Sequence, residues 1–221
     1  MSEHVPNCEQ SMADLAFARL VARLWEGALT AGQFLSMPQL VDLLDLPLAA
    51  TREAVKRAEA RELVSILPKR GLQVMTASPD VVRNCLDLRT ILEEQGARRL
   101  IETSAALPLD TLRADHRAVL EAARSGVQPA MAQRAMATGL SLHDALATGL
   151  DNPVAAAVYR ANRDRLAVIR NARPFLPDRL VSAMEEHLAI IDALACRDAV
   201  AAVVAIRAHY RNTLRWRGIL V

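Results

Sequence analysis

The chain has 221 residues and a formal net charge of +2; 52% of its residues are hydrophobic and only 3% are aromatic. This composition excludes a disordered chain. Because most of the hydrophobic residues are Ala, Leu and Val, it also favours packed helices over sheet. The small net charge excludes a globally basic nucleic-acid binder, so any DNA-binding surface must be local.

The three cysteines are Cys8, Cys85 and Cys196, which are widely spaced and form no CxxC pair. An odd number of separated cysteines predicts free thiols in a reducing compartment. Residues 1–12 are polar and lack the apolar stretch of a secretory signal. No apolar run approaches the roughly 18–20 residues of a membrane span. We therefore expect a soluble, cytoplasmic protein without a membrane partner.

The first part of the chain runs to about Thr76 and opens with a helical pattern. Its apolar positions are Phe17, Leu20, Val21 and Leu24. Gly27 and Gly32 predict a turn after this helix. Ser36 and Gln39 then have the spacing of a capping box, which predicts a short second helix.

A third helix is predicted from about Ala49 to Arg61, after a break at 45–47. Residues 63–67 and 72–75 alternate in polarity around a turn at 68–71, which predicts a β-hairpin. Two helices, a turn, a third helix and a hairpin form the order of a winged helix-turn-helix.

Charge over residues 48–71 fits that fold. This stretch holds six basic and three acidic residues, a net of +3. The third helix would enter the major groove and the hairpin would contact phosphates. The alternative is a solvated helix face beside an ordinary turn.

The second part, residues 77–221, is helical in pattern almost throughout. Its breaks are at Leu107-Pro108, Ser125-Gly126, Asp151-Asn152-Pro153, Pro174 to Pro177, and Cys196-Arg197-Asp198. About six helices result, which predicts an antiparallel bundle with a core wide enough to hold a ligand.

Several short motifs occur in a specific order along the chain. In the first part they are 31–36, 52–55, 59–64 and 69–71; in the second they are Leu88-Arg89 with Glu93, 142–146, 151–153, 186–190 and 207–209. In this order they resemble the GntR family of transcriptional regulators, specifically the FadR-type subfamily with a C-terminal FCD domain. The resemblance implies a winged helix-turn-helix domain over 1–76 and an effector-binding, dimerisation domain over 77–221.

The resemblance also implies DNA contacts by Arg52, Lys69, Arg70 and Gly71. Thr51 and the basic Lys56 on the same predicted helix are further candidates. At the start of the third helix the family has a small polar residue, Arg and Thr, but this chain has Pro47, Leu48 and Ala49. Leu48 cannot donate a hydrogen bond, and Pro47 removes a side-chain cap worth about 1 kcal/mol. We expect the fold to persist and the operator to be unusual or weakly bound.

Three histidines, His143, His187 and His209, each lie on an apolar helix stripe and should face the interior of the bundle. A single inward histidine is usually a core residue with a hydrogen-bond partner. Three on three helices suggest one divalent metal ion, such as Zn²⁺, that satisfies all of them. The alternative is a metal-free pocket in which the imidazoles bind an anionic effector.

In metal-binding FCD domains, an Asp one helical turn before the first histidine completes the site. That position is Gly139 here, so we expect weaker metal binding. Arg89 matches a family arginine and would bind an effector carboxylate; alternatively it pairs with Glu93 at i+4. His4 and His116 match no motif and are expected at the surface.

No motif of an enzyme is present: we find no HExxH, no nucleophile with a spaced base, and no glycine-rich phosphate loop. Together with the resemblance, this implies a homodimeric transcriptional repressor, not an enzyme, controlled by a small organic acid and bound to double-stranded operator DNA. One alternative is a ligand- or metal-binding module of the same fold that has lost sequence-specific DNA binding. A more remote alternative is a metal-dependent enzyme.

Overall fold

A computed structural model of the chain describes residues 11–126, 129–173 and 177–219. These residues form nine helices and three strands. In chain order they are α1 Met12–Glu26, β1 Phe34–Leu35, α2 Met37–Leu44, α3 Leu48–Ala60, β2 Val64–Leu67, β3 Gly71–Val74, α4 Pro79–Glu102, α5 Leu109–Arg124, α6 Pro129–Thr148, α7 Pro153–Asn171, α8 Pro177–Ala195 and α9 Ala199–Trp216. The predicted mainly helical fold, with a small sheet in the first part, is confirmed.

By their contacts these elements form two compact units. Unit 1 extends to Ser78 and also includes Asp164–Ala172, and unit 2 comprises Pro79–Arg163 and the chain from Arg173 onwards. Of the features predicted from sequence, Cys8, His4 and residues 174–176 of the fourth break lie outside the described residues.

The ends of the first two helices are fixed by local chemistry. The Ser11 side chain accepts a hydrogen bond from the amide of Asp14, and α1 ends at Gly27, whose φ is 77°. At α2 both hydrogen bonds of the capping box between Ser36 and Gln39 form. The predicted capping box of α2 is therefore confirmed, whereas the Ser11 cap of α1 was not predicted; both satisfy backbone N–H groups that have no partner within the helix. In contrast α3 follows Pro47 and has no side-chain cap.

The sheet of unit 1 has the order β1-β3-β2, with both pairs antiparallel. The hairpin β2-β3 was predicted; the two-residue strand β1 was not. Gly71 has a φ of 114°, and a Cβ atom there would collide with the carbonyl oxygen of Leu35. Glycine at this position is therefore required by the close approach of the two backbones.

The last part of α7, from Asp164, and the following Ala172 complete unit 1. Val168 is fully buried in the core of this unit. The indole Nε1 of Trp25 donates to Oδ1 of Asp164 at 3.0 Å. Asn171 Nδ2 donates to the carbonyl oxygens of Leu24 and Trp25 at 2.8 and 3.0 Å. Nothing in the sequence pattern indicated that a helix of the second part would contribute to this core.

Unit 2 is a helical bundle in which α5 packs on α6 and α8, α9 packs on α4 and α8, and α6 packs on α4 and α8. The crossing of α4 and α6 is close because Gly96 has no side chain: a Cβ there would collide with the carbonyl oxygen of Leu146. This packing brings inward-facing residues of α5, α6, α8 and α9 together. No helix in the described part of the chain is long and apolar enough to cross a membrane.

Candidate functional site

Three imidazoles meet inside unit 2. His143 on α6, His187 on α8 and His209 on α9 are exposed by only 5, 3 and 5%. Their ring centroids lie 5.1 Å apart for His143 and His187, 5.4 Å for His143 and His209, and 4.6 Å for His187 and His209. One potential ligand atom from each lies within 4.8 Å of the others. The three histidines selected from sequence are thus neighbours in the fold.

Each histidine is positioned by the apolar face of its helix. Leu142 and Leu146 beside His143, and Met184 and Ile190 on the stripe of His187, are buried. These faces form the core of the bundle, since α6, α8 and α9 bury their leucines and isoleucines there. Removal of that apolar surface from water supplies the free energy that holds the imidazoles inside.

Glu186 holds the ring of His209. Nδ1 of His209 lies 2.6 Å from Oε2 of Glu186. Nη1 of Arg179 donates to both carboxylate oxygens at 2.8 and 2.9 Å, and Asn212 Nδ2 donates to Oε1 at 3.0 Å. Burial raises the pKa of Glu186, but the hydrogen bonds from His209 and Arg179 outweigh it and lower that pKa. An ionised Glu186 receives the Nδ1–H of His209, which leaves Nε2 with a free lone pair.

Glu93 on α4 faces His143 in a similar way. Nδ1 of His143 lies 2.9 Å from Oε1 of Glu93, and Nε of Arg89 lies 3.4 Å from the same oxygen. Both approaches are misaligned for a hydrogen bond. Burial raises the pKa of Glu93, but His143 and Arg89 reverse that effect and the net shift is downward. The expected i+4 pair of Arg89 and Glu93 is present, and it lies beside the imidazoles.

His187 is the centre of the cluster and the least satisfied of its members. Neither ring nitrogen of His187 has a hydrogen-bond partner among the described residues. Burial, followed by the neighbouring His209, His143 and His116, lowers the pKa of His187 well below its usual value. Leaving a buried polar atom unpaired costs about 1–3 kcal/mol, so a ring with two such atoms is suited to an added partner.

The expectation that His116 lies at the surface is wrong. His116 on α5 is fully buried, and its ring centroid lies 5.2 Å from that of His187. Its position was recoverable from sequence, because Leu112, Val119 and Leu120 place it on the buried stripe of α5. His116 matches no family motif, which is why it was passed over.

The ring of His187 lies beside Gly139, the position at which metal-binding relatives have the aspartate. A Cβ atom added at Gly139 would lie 3.1 Å from Cε1 and 3.7 Å from Nδ1 of His187. The missing Asp position therefore faces the histidine cluster, as the resemblance implies. A side chain there would require His187 to shift by a few tenths of an ångström.

The centre can hold a divalent ion by the chemistry of its donors. Burial is the largest cause that lowers the pKa of all three histidines, and the pKa of His209 falls to about 4. The rings are therefore neutral near pH 7 and offer lone pairs. Three imidazole nitrogens on one zinc ion lie roughly 3.4 Å apart, given bonds of about 2.0–2.1 Å. In the structure the potential ligand atoms lie within 4.8 Å of one another, so each pair would have to approach by at most about 1.4 Å to bind one ion.

The candidate DNA-binding surface lies on unit 1. Arg52 and Lys56 on α3, and Lys69 and Arg70 in the hairpin turn, are all exposed. Thr51 is not: it is fully buried, and its hydroxyl faces the carbonyl oxygen of Leu46 at 3.4 Å. We therefore remove Thr51 from the predicted DNA contacts, since its side chain faces the core.

The residues that depart from the family at the start of α3 are on the outside. Leu48 is 44% exposed, and Pro47 and Ala49 are exposed as well. An apolar side chain thus occupies the surface position where the resemblance implies an arginine. Lys56 pairs with Glu53 at 2.8 Å across a solvated face, an interaction worth little in water.

The second part of the chain matches a known family of domains. A family model described as the FCD domain matches residues 84–212. The HTH-type transcriptional regulator BphR of Paraburkholderia xenovorans (strain LB400) is 24% identical over 212 residues, which cover 93% of this chain and 84% of that protein.

Two solved structures share the fold. The structure of McbR/YncC from E. coli has a TM-score of 0.75 at 17% identity and covers 94% of this chain and 99% of its own. A putative transcriptional regulator GntR from Rhodococcus sp. RHA1 has a TM-score of 0.74 at 17% identity and covers 95% of this chain and 99% of its own.

Proposed function

This chain belongs to the GntR family of transcriptional regulators with an FCD domain, and from that premise we propose that it is a homodimeric repressor released from operator DNA by a small organic acid. The observation that carries the proposal is the buried meeting of His143, His187 and His209 beside Arg89. The family and the fold are those of regulators, and we propose no catalytic step.

Operator binding is assigned to α3 and the hairpin. GntR-family regulators bind operator DNA, and this unit exposes Arg52 on α3 with Lys69 and Arg70 on the turn. A helix in the major groove with a basic wing on the phosphates uses those charges. A homodimer would present two copies of α3 to the half-sites of a pseudo-palindromic operator.

Leu48 changes what this surface can read. An exposed leucine can contact a thymine methyl group but cannot donate to guanine, as an arginine would. The operator should therefore differ from those of relatives that have the arginine. A ligand-binding module without sequence-specific DNA binding is the second candidate function, and the exposed Leu48 is the observation that favours it.

A divalent ion in unit 2 would be held by His143, His187 and His209. Neutral imidazoles suit Zn²⁺ and related late transition ions better than Mg²⁺ or Ca²⁺, which prefer oxygen ligands. When bound, such an ion supplies positive charge and open coordination positions for an effector carboxylate. The unpaired nitrogens of His187 support this assignment, because a ligand bond would satisfy one of them.

Arg89 is proposed as the residue that binds the effector directly. Its side chain is only 13% exposed, and within the described part of the chain its Nε has no hydrogen-bond partner, although Glu93 lies 3.4 Å away. A carboxylate that enters beside it gains a charge-assisted and potentially bidentate contact. An organic acid thus finds both its charge partner and the imidazoles within one buried region.

Dimerisation is assigned to exposed apolar residues of unit 2. Ile91 on α4 is 56% exposed, and Val154 and Val158 on α7 are 74 and 41% exposed. A second copy of this chain is the proposed occupant, because GntR-family regulators often dimerise. Ile91→Glu should convert the dimer to a monomer in light scattering, and a dimer that persists would exclude Ile91 from the interface.

The deciding experiment measures DNA binding and release by fluorescence anisotropy. The labelled duplex is taken from the intergenic region beside the gene, and a scrambled duplex of equal length is the control, both at a stated near-physiological salt concentration. We expect preference for the native duplex, followed by release on titration with mono- and dicarboxylic acids in the presence of Zn²⁺. Equal, weak and salt-sensitive binding to both duplexes would contradict the repressor at this operator and favour the ligand-binding module.

A further inference from the structure

We infer that His116 positions His187 for the metal ion, with Nε2 of His116 accepting a hydrogen bond from one ring N–H of His187. The other nitrogen of His187 then faces the ion together with His143 and His209. The inference rests on the proposed metal site. It assigns a function to a fourth buried histidine that belongs to no motif of the sequence.

The hydrogen bonding of His116 makes its Nε2 an acceptor. Nδ1 of His116 lies 2.7 Å from the carbonyl oxygen of Leu112, one helical turn earlier on α5. A carbonyl oxygen only accepts, so Nδ1 carries the proton of the neutral ring and Nε2 carries the lone pair. That Nε2 is buried and has no hydrogen-bond partner among the described residues. The backbone of α5 therefore fixes an unpaired acceptor in the interior.

His187 lies at the separation that such an acceptor needs. The ring centroids of His116 and His187 are 5.2 Å apart and the rings are inclined by 72°. Two imidazoles joined by a hydrogen bond of about 2.9–3.0 Å have centroids roughly 5 Å apart, because each nitrogen lies a little over 1 Å from its centroid. In the structure this hydrogen bond is not formed, so the inference requires the His187 ring to rotate about its own side-chain bond, a motion that leaves the centroid separation nearly unchanged.

Each of the other two proposed ligands has a carboxylate beside its Nδ1, although only that of His209 is aligned for a hydrogen bond in the structure. His209 has Glu186 at 2.6 Å and His143 has Glu93 at 2.9 Å, each measured from Nδ1. A metal-binding histidine usually donates its second N–H to such a group, which fixes its tautomer and ring orientation. No carboxylate of residues 11–126, 129–173 and 177–219 hydrogen-bonds to His187, and His116 is the buried acceptor beside its ring.

Position 139 explains why His187 depends on this contact. Cε1 and Nδ1 of His187 face Gly139, which offers no side chain to bind or hold the ring. In this chain the orientation of His187 is therefore set from the α5 side. Because His116 is neutral, it orients the ligand without adding the negative charge that Glu93 and Glu186 supply to the other two.

Two variants of similar polarity test the inference. In His116→Asn the amide nitrogen can occupy the place of Nδ1 and reach Leu112, but no acceptor remains at the place of Nε2. In His116→Gln the side-chain amide reaches the place of Nε2, and its oxygen can accept from His187. The affinity for Zn²⁺ is measured by competition with a chromophoric chelator, and the absorption spectrum of bound Co²⁺ reports the ligand set. Thermal unfolding of the metal-free proteins checks that each variant folds.

We expect the Asn variant to lose about 10–100-fold in Zn²⁺ affinity and the Gln variant to stay close to the parent protein, with an unchanged Co²⁺ spectrum. Equal affinity of the Asn variant and the parent would overturn the inference and leave the metal site intact. Weakening of both variants together with an altered Co²⁺ spectrum would make His116 a direct ligand, which also overturns it. A parent protein that binds neither ion would refute the metal site itself.

A measurement on the unsubstituted protein covers the case in which the Asn variant does not fold. Long-range ¹H–¹⁵N correlation spectra of the histidine rings identify the protonated nitrogen of each imidazole. In the Zn²⁺-loaded protein we expect His116 as the Nδ1–H form with a hydrogen-bonded Nε2. A protonated Nε2 on His116 would exclude it as the acceptor.

Discussion

Nδ1 of His209 on α9 lies 2.6 Å from Oε2 of Glu186 on α8, and the residue after Glu186 is His187. Adjacent residues on a helix point about 100° apart, so α8 presents an imidazole to the centre and a carboxylate to the side of it. Arg179, two turns earlier on the same helix, holds that carboxylate through both oxygens. One helix thus supplies a proposed ligand and the group that orients its neighbour.

Replacement of Glu186 by Gln should weaken Zn²⁺ binding by about 10–100-fold, the usual loss when the acceptor behind a metal-binding histidine is changed. The amide keeps the size of the carboxylate but loses the charge that holds the Nδ1–H of His209. Chelator competition measures the affinity. Glu185→Gln is the matched control, since Glu185 is exposed and pairs only with Arg124 among the contacts described. Equal losses in both variants would argue against orientation through His209.

The metal-free protein should become less stable as pH falls from about 6.5 towards 4. Burial is the largest cause lowering the pKa of His116, His143, His187 and His209, and His209 falls to about 4. The unfolded chain therefore takes up protons near pH 6.5, while the folded chain does not. Each such histidine reduces stability by up to about 1.4 kcal/mol per pH unit in this window.

Urea unfolding in the presence of a chelator checks this pH dependence. Glu93 and Glu186 have pKa values lowered from 4.5, so their loss of stability on protonation becomes large only as pH falls through about 4.5. The upper part of the window, from about 5.5 to 6.5, therefore reports mainly the histidines. His187→Phe should reduce the slope in this window. A stability that is constant from pH 7.5 to 5 would contradict the buried, neutral state of the cluster.

Much of the fold follows from local patterns in the sequence. The capping box of Ser36 with Gln39, the αL end at Gly27 and the helix breaks involve residues that interact within one turn, so spacing alone reveals them. The inward faces of His143, His187 and His209 follow from periodicity. That their ring nitrogens meet within 4.8 Å depends on how the helices pack, which periodicity does not specify.

The predictions for Thr51 and His116 were wrong because the periodicity of their own helices was not applied to them. Thr51 precedes Ala54, Val55 and Ala58 on the buried stripe of α3, and that spacing places it in the core. His116 lies in the same way on the buried stripe of α5. The segment 164–172 is different, because α7 has a continuous helical pattern and its contribution to unit 1 depends on long-range contacts.

Arg52 and Thr51 are adjacent on α3 but should respond differently to substitution. Arg52→Ala removes an exposed guanidinium and should weaken operator binding by about 1–3 kcal/mol if it contacts a base. Thr51→Val keeps the shape of a buried side chain and should leave DNA affinity unchanged. Anisotropy at fixed salt measures both. Loss of operator binding in the Thr51 variant, with unchanged thermal stability, would restore Thr51 as a contact.

Gly139→Asp restores a carboxylate at the position where metal-binding relatives have one. This substitution should destabilise the metal-free protein and strengthen its binding of Zn²⁺. Without metal, Gly139→Asp buries a carboxylate beside Cε1 of His187 and should lower the thermal midpoint. With Zn²⁺, the same carboxylate adds a ligand and a negative charge, so affinity should rise.

Gly139→Ala separates these effects from the cost of the added Cβ. Both variants must displace the His187 ring by a few tenths of an ångström. Both also have a better helix propensity than glycine, by about 1 kcal/mol for Ala and by a few tenths of that for Asp. Only the carboxylate can coordinate a metal ion. If the Asp variant binds Zn²⁺ more tightly than the Ala variant, position 139 faces the ion. Equal affinities would place the ion away from α6 at this turn, and the assignment of His143, four residues later, would fail with it.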